Sequence, residues 1–391
     1  MMPDDYLGRV RALLPGIRER ASQTEKLRRL PDETWAEFQA AGLFRALQPK
    51  RYGGYELDPG VFYQAVAEIG AVCGSSSWIA GVIGVHNWHL AIMPPQAQED
   101  VWGEDDSIQL STSLAPTGTV ERAPGGFRLK GRWSFSSGCD HCQWVVLGGT
   151  APPAEGASGG PPDARVFLVP RRDYWIDDTW HVIGLCGTGS KDIVVEDAFV
   201  PEYRTHSYLD AFHLNHPGCE INPAPLYRLP FALIFRYGIT APAIGAAKGA
   251  LDAFREQTRR RVNVMDKSLA AEDPFMQQRL AQSASEIDAA HARMLEIFAE
   301  MMRLARAGQE IPLENRARYR WDGGRAVEWS VAAVDRLFEA AGGRALFLAN
   351  PIQRAWRDVH AIRAHAGNNP ERAAMVFARS ELGLPHTDIR F

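Results

Sequence analysis

Gly342-Gly343, then Asn350-Pro351-Ile352-Gln353-Arg354, then Arg357-Asp358, His360 and His365-Ala366-Gly367 are the stretch on which the reading of this chain turns. It follows an Ala-rich periodic run, Ala326 to Ala341, that reads as a helix. The glycine pair then makes a turn, and a Pro-containing connection leads to the Arg-Asp pair.

Working outward, the preceding helical periodicity is long: Ile239 to Arg260 and Pro274 to Arg306 carry it as well. Before them, from about Ser107 to Pro201, strand-like runs alternate with Gly/Pro-rich turns, including the segment Pro152 to Asp163, expected as a surface hairpin loop. The first hundred residues are helical again, with strongly apolar helices at Val61 to Val72 and Ser75 to Met93. The expected organisation is α+β, in three parts: an N-terminal helical domain (1–106), a middle β domain (107–215) and a C-terminal helical bundle (216–391).

A chain of 391 residues that is 46% hydrophobic can bury a large core. Its net charge of −4, with Lys and Arg scattered, gives no footprint for nucleic acid and no polybasic membrane patch. No apolar run approaches a membrane span and the acidic start lacks a signal core, so the expected location is the cytoplasm. The five cysteines fit reduced thiols. Cys139-Asp140-His141-Cys142 has no second pair at zinc-site spacing and precedes a strand rather than opening a helix, so no metal is expected.

Five motifs lie in order along the chain: Gly74-Ser75-Ser76-Ser77-Trp78; Val85-His86-Asn87-Trp88-His89; Gly131-Arg132-Trp133-Ser134-Phe135-Ser136-Ser137-Gly138; Gly187-Thr188-Gly189-Ser190-Lys191-Asp192; and the C-terminal block. Together they resemble the acyl-CoA dehydrogenase fold, with its middle β-barrel and C-terminal four-helix bundle. Within it they resemble the oxygenase components of two-component flavin-dependent monooxygenases acting on 4-hydroxyphenylacetate, phenolic steroid intermediates and polyketide quinones. In the dehydrogenases the C-terminal block runs on to a Glu-Gly pair whose Glu removes the substrate α-proton. Here that pair is Ala366-Gly367, with His365 beside the vacant position.

The resemblance implies that a separate NAD(P)H-dependent reductase supplies reduced flavin. This reacts with O₂ to give the C4a-hydroperoxide, which hydroxylates a phenolic or polycyclic aromatic substrate. It places Ser137 against flavin N5, Ser113 and Thr119 at the flavin ring and phosphate, and Trp133, Gly342 and Gly343 among the cofactor contacts. Arg261 matches an arginine that reaches a neighbouring subunit's pyrophosphate in a homotetramer. Val262-Asn263 replaces the usual aromatic-Gly pair after it, which tilts the expectation to reduced FMN, with FAD possible. No nicotinamide fingerprint is present. Trp78, His86, Trp88 and Phe135 are the expected substrate cavity. His86 or His365 would act on the phenol and the other on the peroxide, His86 and His89 lying on one helix face. Two alternatives share the scaffold: an acyl-CoA dehydrogenase using Glu371 or Asp358 as base, and a flavin N-oxygenase acting on an amine or amino sugar. A flavin-free scaffold or binding protein is the non-enzymatic alternative.

Overall fold

The computed structural model describes residues 1–153, 163–263, 267–385 and 388. The segment expected as a surface hairpin loop lies largely outside them. Five helices come first: α1 (Pro3–Leu27), α2 (Asp32–Ala40), α3 (Pro59–Gly70), α4 (Gly74–Ile92) and α5 (Pro95–Trp102). Among the described residues eight strands follow: β1 (Leu110–Ser113), β2 (Thr119–Ala123), β3 (Gly126–Ser136), β4 (Trp144–Ala151), β5 (Asp163–Pro170), β6 (Trp175–Asp177), β7 (Lys191–Pro201) and β8 (Thr205–Ser207). The chain then returns to helix with α6 (Tyr208–Phe212), α7 (Phe231–Arg260), α8 (Pro274–Arg306), α9 (Leu313–Ala341), α10 (Pro351–Ala364) and α11 (Pro370–Glu381).

The strands form two four-stranded sheets, ordered β1-β4-β5-β8 and β2-β3-β7-β6. Neither closes, which corrects the expected β-barrel. Their facing sides share one apolar core, with Phe127, Trp133, Leu147, Phe167 and Ile193 at its centre. Apolar positions alternate along β3 and β7, so each strand gives one face to this core.

The C-terminal block does two structural jobs. Gly342 stops α9 at φ +67°, which costs glycine little, and Asn350 Oδ1 accepts from Ile352 N to start α10. Asp358, buried on α10, accepts from Leu185 N at 2.7 Å and lies against Gly74, where a Cβ would collide with its carboxylate. It joins the bundle, the β domain and the start of α4. Burial pushes its pKa up to about 6, against the pull of that hydrogen bond.

Candidate active site

Helix α4 is the wall of the site. Cys73 Sγ accepts from Ser76 N at its start, and its mean composition is so apolar that nearly every residue is buried. Gly81 and Gly84 let it press against the Gly238 carbonyl and the Phe62 ring, where a Cβ would collide. The residue in it left partly open is Val82. Val82 shares a face with Trp78, His86 and His89, at spacings of four, four and three. An open position on a buried helix marks a recess in the interior. We take this position as the opening of a candidate recess between Trp78 and His86, which lie about 12 Å apart along the helix axis.

At one end stands Ser137, in the turn after β3. Its hydroxyl accepts from Trp78 Nε1 at 2.9 Å and pairs with Ser190 Oγ at 2.7 Å. Ser190 pairs in turn with Thr188 Oγ1 at 2.6 Å, and Thr188 donates to the Leu185 carbonyl at 2.9 Å. A hydroxyl has one hydrogen and two lone pairs. With the Thr188 hydrogen fixed on a carbonyl, Ser190 must donate to Thr188 and Ser137 must donate to Ser190. Ser137 therefore keeps one free lone pair and no hydrogen, and presents an acceptor.

At the other end His86 is fully engaged. Its Nδ1 lies 2.7 Å from the Leu110 carbonyl, which only a hydrogen on Nδ1 can satisfy. Nε2 is then a bare acceptor, and takes the Thr112 hydroxyl hydrogen at 3.0 Å. Burial drives its pKa down to about 4, so the ring is neutral at pH 7.

His365 has the opposite tautomer. Its Nδ1 accepts from Gly367 N at 3.0 Å, so its hydrogen is on Nε2. His365 is exposed at the turn after α10, while protein atoms crowd around its ring. Desolvation, then the nearby Arg236, hold its pKa below the usual imidazole value. Its ring meets Trp78 edge-on, centroids 5.6 Å apart. Trp78, Ser137 and His365 thus converge, with His86 farther along α4.

Other expected site residues lie elsewhere. Trp88 is fully buried and donates to the Leu226 carbonyl, so it packs the core rather than lining the recess. Trp133 is equally buried, donates to the Gly148 carbonyl and lies against Gly118, which leaves no face for a cofactor. Phe135 is 68% exposed outside the recess, edge-on to Trp180. Ser113 donates to the Ser134 carbonyl, while Thr119 is exposed at the start of β2. His360 binds Asp335 at 2.9 Å on the bundle surface. Thr112, Thr188 and Ser190 were not singled out individually from sequence, yet they set the hydrogen positions of His86 and Ser137.

Comparison with known proteins places this geometry. The models for the acyl-CoA dehydrogenase N-terminal and C-terminal domains match residues 11–102 and 237–370. The flavin-dependent monooxygenase oxygenase subunit HsaA of Rhodococcus jostii (strain RHA1) is 47% identical over 97% of this chain and 99% of its own. The chain belongs to the flavin-dependent monooxygenase oxygenase components of the acyl-CoA dehydrogenase family. The FADH(2)-dependent resorcinol hydroxylase oxygenase component of a Rhizobium species (strain MTP-10005) is 36% identical over 97% of this chain and 94% of its own. The crystal structure of 3-HSA hydroxylase from Rhodococcus sp. RHA1 superposes with a TM-score of 0.95, at 46% identity and 99% coverage of both chains.

For this oxygenase the flavin donor set can be tested on the residues present. Phe135 sits in a bulge of β3 at φ +68°, a conformation that costs a non-glycine residue about 1–3 kcal/mol. The strain holds an exposed aromatic face two residues from the Ser137 acceptor, which suits a flat ring system. Farther away, Arg261 donates to the Ala340 and Ala341 carbonyls at the end of α9. It borders a small cleft of about 120 Å³ with Gly343 and Arg344. Gly342 lies against the same guanidinium. The residues fit a flavin at the ring end. At Arg261 the guanidinium already serves the helix terminus.

The Cys139 and Cys142 thiols are free and buried, and burial drives both pKa values up, Cys139 to about 12. Both are therefore poor nucleophiles.

Proposed function

We propose that this oxygenase receives reduced flavin from a separate NAD(P)H-dependent reductase. With O₂ it then hydroxylates a phenolic or polycyclic aromatic acceptor held between Ser137 and His86. The observation that carries the reading is the pair of opposed neutral imidazoles, His86 offering a lone pair and His365 a hydrogen. The flavin, when bound, supplies the activation of oxygen. Ser137 would hold the flavin at N5, where its lone pair could accept the hydrogen that reduced flavin carries and oxidised flavin lacks. His86 Nε2 exchanges the Thr112 hydroxyl for the phenolic one. Because its conjugate acid has a pKa near 4, it orients the phenol in the resting complex and takes the proton only as the ring is attacked. His365 Nε2–H is placed to donate to a developing oxyanion, and the buried face of α4 excludes water.

Removal of an α-proton, the dehydrogenase reaction, needs a carboxylate here. Asp358 is turned to Leu185 N, and Glu371 is exposed near Arg363. Neither points to that chemistry, and no feature favours an amine.

Reduced FMN or FAD serves as cofactor; the name of the resorcinol hydroxylase relative weighs towards FAD. The exposed run Leu346-Phe347-Leu348, a few residues after the Gly343 and Arg344 that line the cleft at Arg261, suits burial by neighbouring copies in a homotetramer. Among the described residues no helix is long and apolar enough to cross a membrane, and we place the enzyme in the cytoplasm. The test is product analysis with reductase, NADH, flavin and labelled O₂. The expected product is a phenol with one labelled oxygen added to its ring; oxidation of an acyl-CoA or an amine in its place would contradict the reading.

A further inference from the structure

One turn beyond His86 the face of α4 ends in a second group of imidazoles, used by nothing described so far. His89 is buried, and neither ring nitrogen has a hydrogen-bond partner. Its ring lies 6.4 Å from that of His206, on β8, which lies 5.6 Å from that of His216. His216 is also buried, with a weak contact to the Leu229 backbone and otherwise no hydrogen-bond partner at either nitrogen. His206 has a single long contact, 3.5 Å to the Asn215 carbonyl. A buried polar atom left unpaired costs about 1–3 kcal/mol. His89, with both nitrogens unpaired, and His216, with one weak contact, are therefore difficult to explain as packing.

The group adjoins the recess through Phe235. That partly exposed ring lies 5.7 Å from His86 and 5.1 Å from His89. Phe231 stacks on it at 4.3 Å and closes the side.

We propose that His89, His206 and His216 form a polar end-pocket for a neutral oxygen function, a carbonyl or hydroxyl, carried by the acceptor beyond its phenolic ring. The proposal rests on the phenol-hydroxylase reading above. It names a determinant of specificity which that reading does not require. Neutrality follows from the surroundings. Burial lowers the pKa of all three rings; neighbouring imidazoles add to this at His89 and His216, Arg165 at His206 and Arg316 at His216, against the pull of the Asn215 backbone and Asp210 at His206 and of the Leu229 backbone at His216. An unprotonated imidazole offers one N–H and one lone pair, which match a carbonyl or hydroxyl. A carboxylate would be buried there with no ion-pair partner, at high cost.

The test compares three para-substituted phenols of equal chain length, bearing an alkyl, a ketone or a carboxylate end. Hydroxylation is followed with reductase, NADH and flavin. The wild type should show kcat/KM roughly tenfold higher for the ketone than for the alkyl phenol, the value of one or two net hydrogen bonds. In His89→Leu, and in His216→Leu as a second variant, that ratio should fall towards one through KM. Both variants should also melt at higher temperature than the wild type without substrate, since each removes unpaired buried nitrogens. A ratio near one in the wild type, a ratio kept in both variants, or preference for the carboxylate would overturn the proposal. If none of the three phenols is hydroxylated, the phenol-hydroxylase reading fails, and this proposal with it.

Discussion

Trp78 donates its indole hydrogen to the Ser137 hydroxyl at 2.9 Å, and this bond settles what Ser137 can offer the site. With one lone pair taken by Trp78 and its hydrogen directed to Ser190, the hydroxyl can only accept. Four residues from three segments, Trp78, Ser137, Thr188 and Ser190, thereby act as one polarised unit. Removing the final hydroxyl should be felt at the first.

Ser137→Ala removes the acceptor but leaves the fold, since the hydroxyl sits in a turn and β3 keeps its ladder. Hydrogen peroxide released per NADH oxidised should rise several-fold in the coupled assay, in line with the loss of about 1 kcal/mol. Unchanged coupling would make Ser137 a structural link between α4 and the β domain.

The two imidazoles should separate by dependence on the acceptor. His86→Ala should lower hydroxylation roughly a hundredfold and leave peroxide release without phenol as in the wild type, because its lone pair acts on the phenol alone. His365→Ala should change peroxide release both with and without phenol. Identical behaviour of the two variants would contradict the opposed tautomers as their functional distinction.

Stability should fall on acidification from about pH 6.5 towards 4. His86, His89, His206, His216 and His365 all have folded pKa values depressed below 6.5, to about 4 for His86 and about 3 for His216. In this window the unfolded chain binds protons that the folded chain refuses, so the stability present above 6.5 is lost as pH falls. Asp358 opposes the trend: its pKa, raised to about 6, adds stability as it protonates. These histidines, joined by His141 and His291, outweigh one carboxyl and decide the sign. A melting temperature that is flat or rising between pH 6.5 and 5 would contradict it.

Much of this was legible in the sequence because it is carried by local pattern. The long helices follow their periodicity, α8 spanning the expected residues; Ser137 and His365, which meet at Trp78, lie within motifs, as does His86. What was not legible depends on contacts between distant residues. Thr112 stands in no motif, and the resemblance points to its neighbour Ser113, yet strand alternation points the two side chains to opposite faces and only Thr112 meets His86. Ser190 joins Ser137 across 53 residues of separation. Trp88 and Trp133 lie inside motifs, yet both are fully buried and bonded to backbone carbonyls. The helix α9 begins at Leu313, well before the expected Ala326, because its first turns contain Arg and Gly that mask the apolar period.

The most direct test of the central claim, that Ser137 presents an acceptor to N5, is an anaerobic titration with reduced and oxidised flavin, in the wild type and in Ser190→Ala. The wild type should bind reduced flavin at least roughly tenfold more tightly, because only reduced flavin has a hydrogen for the free lone pair. Ser190→Ala frees the Ser137 hydrogen to turn to N5, so oxidised flavin should gain affinity and the preference should shrink. Equal affinities in the wild type, or a preference untouched by Ser190→Ala, would contradict the account.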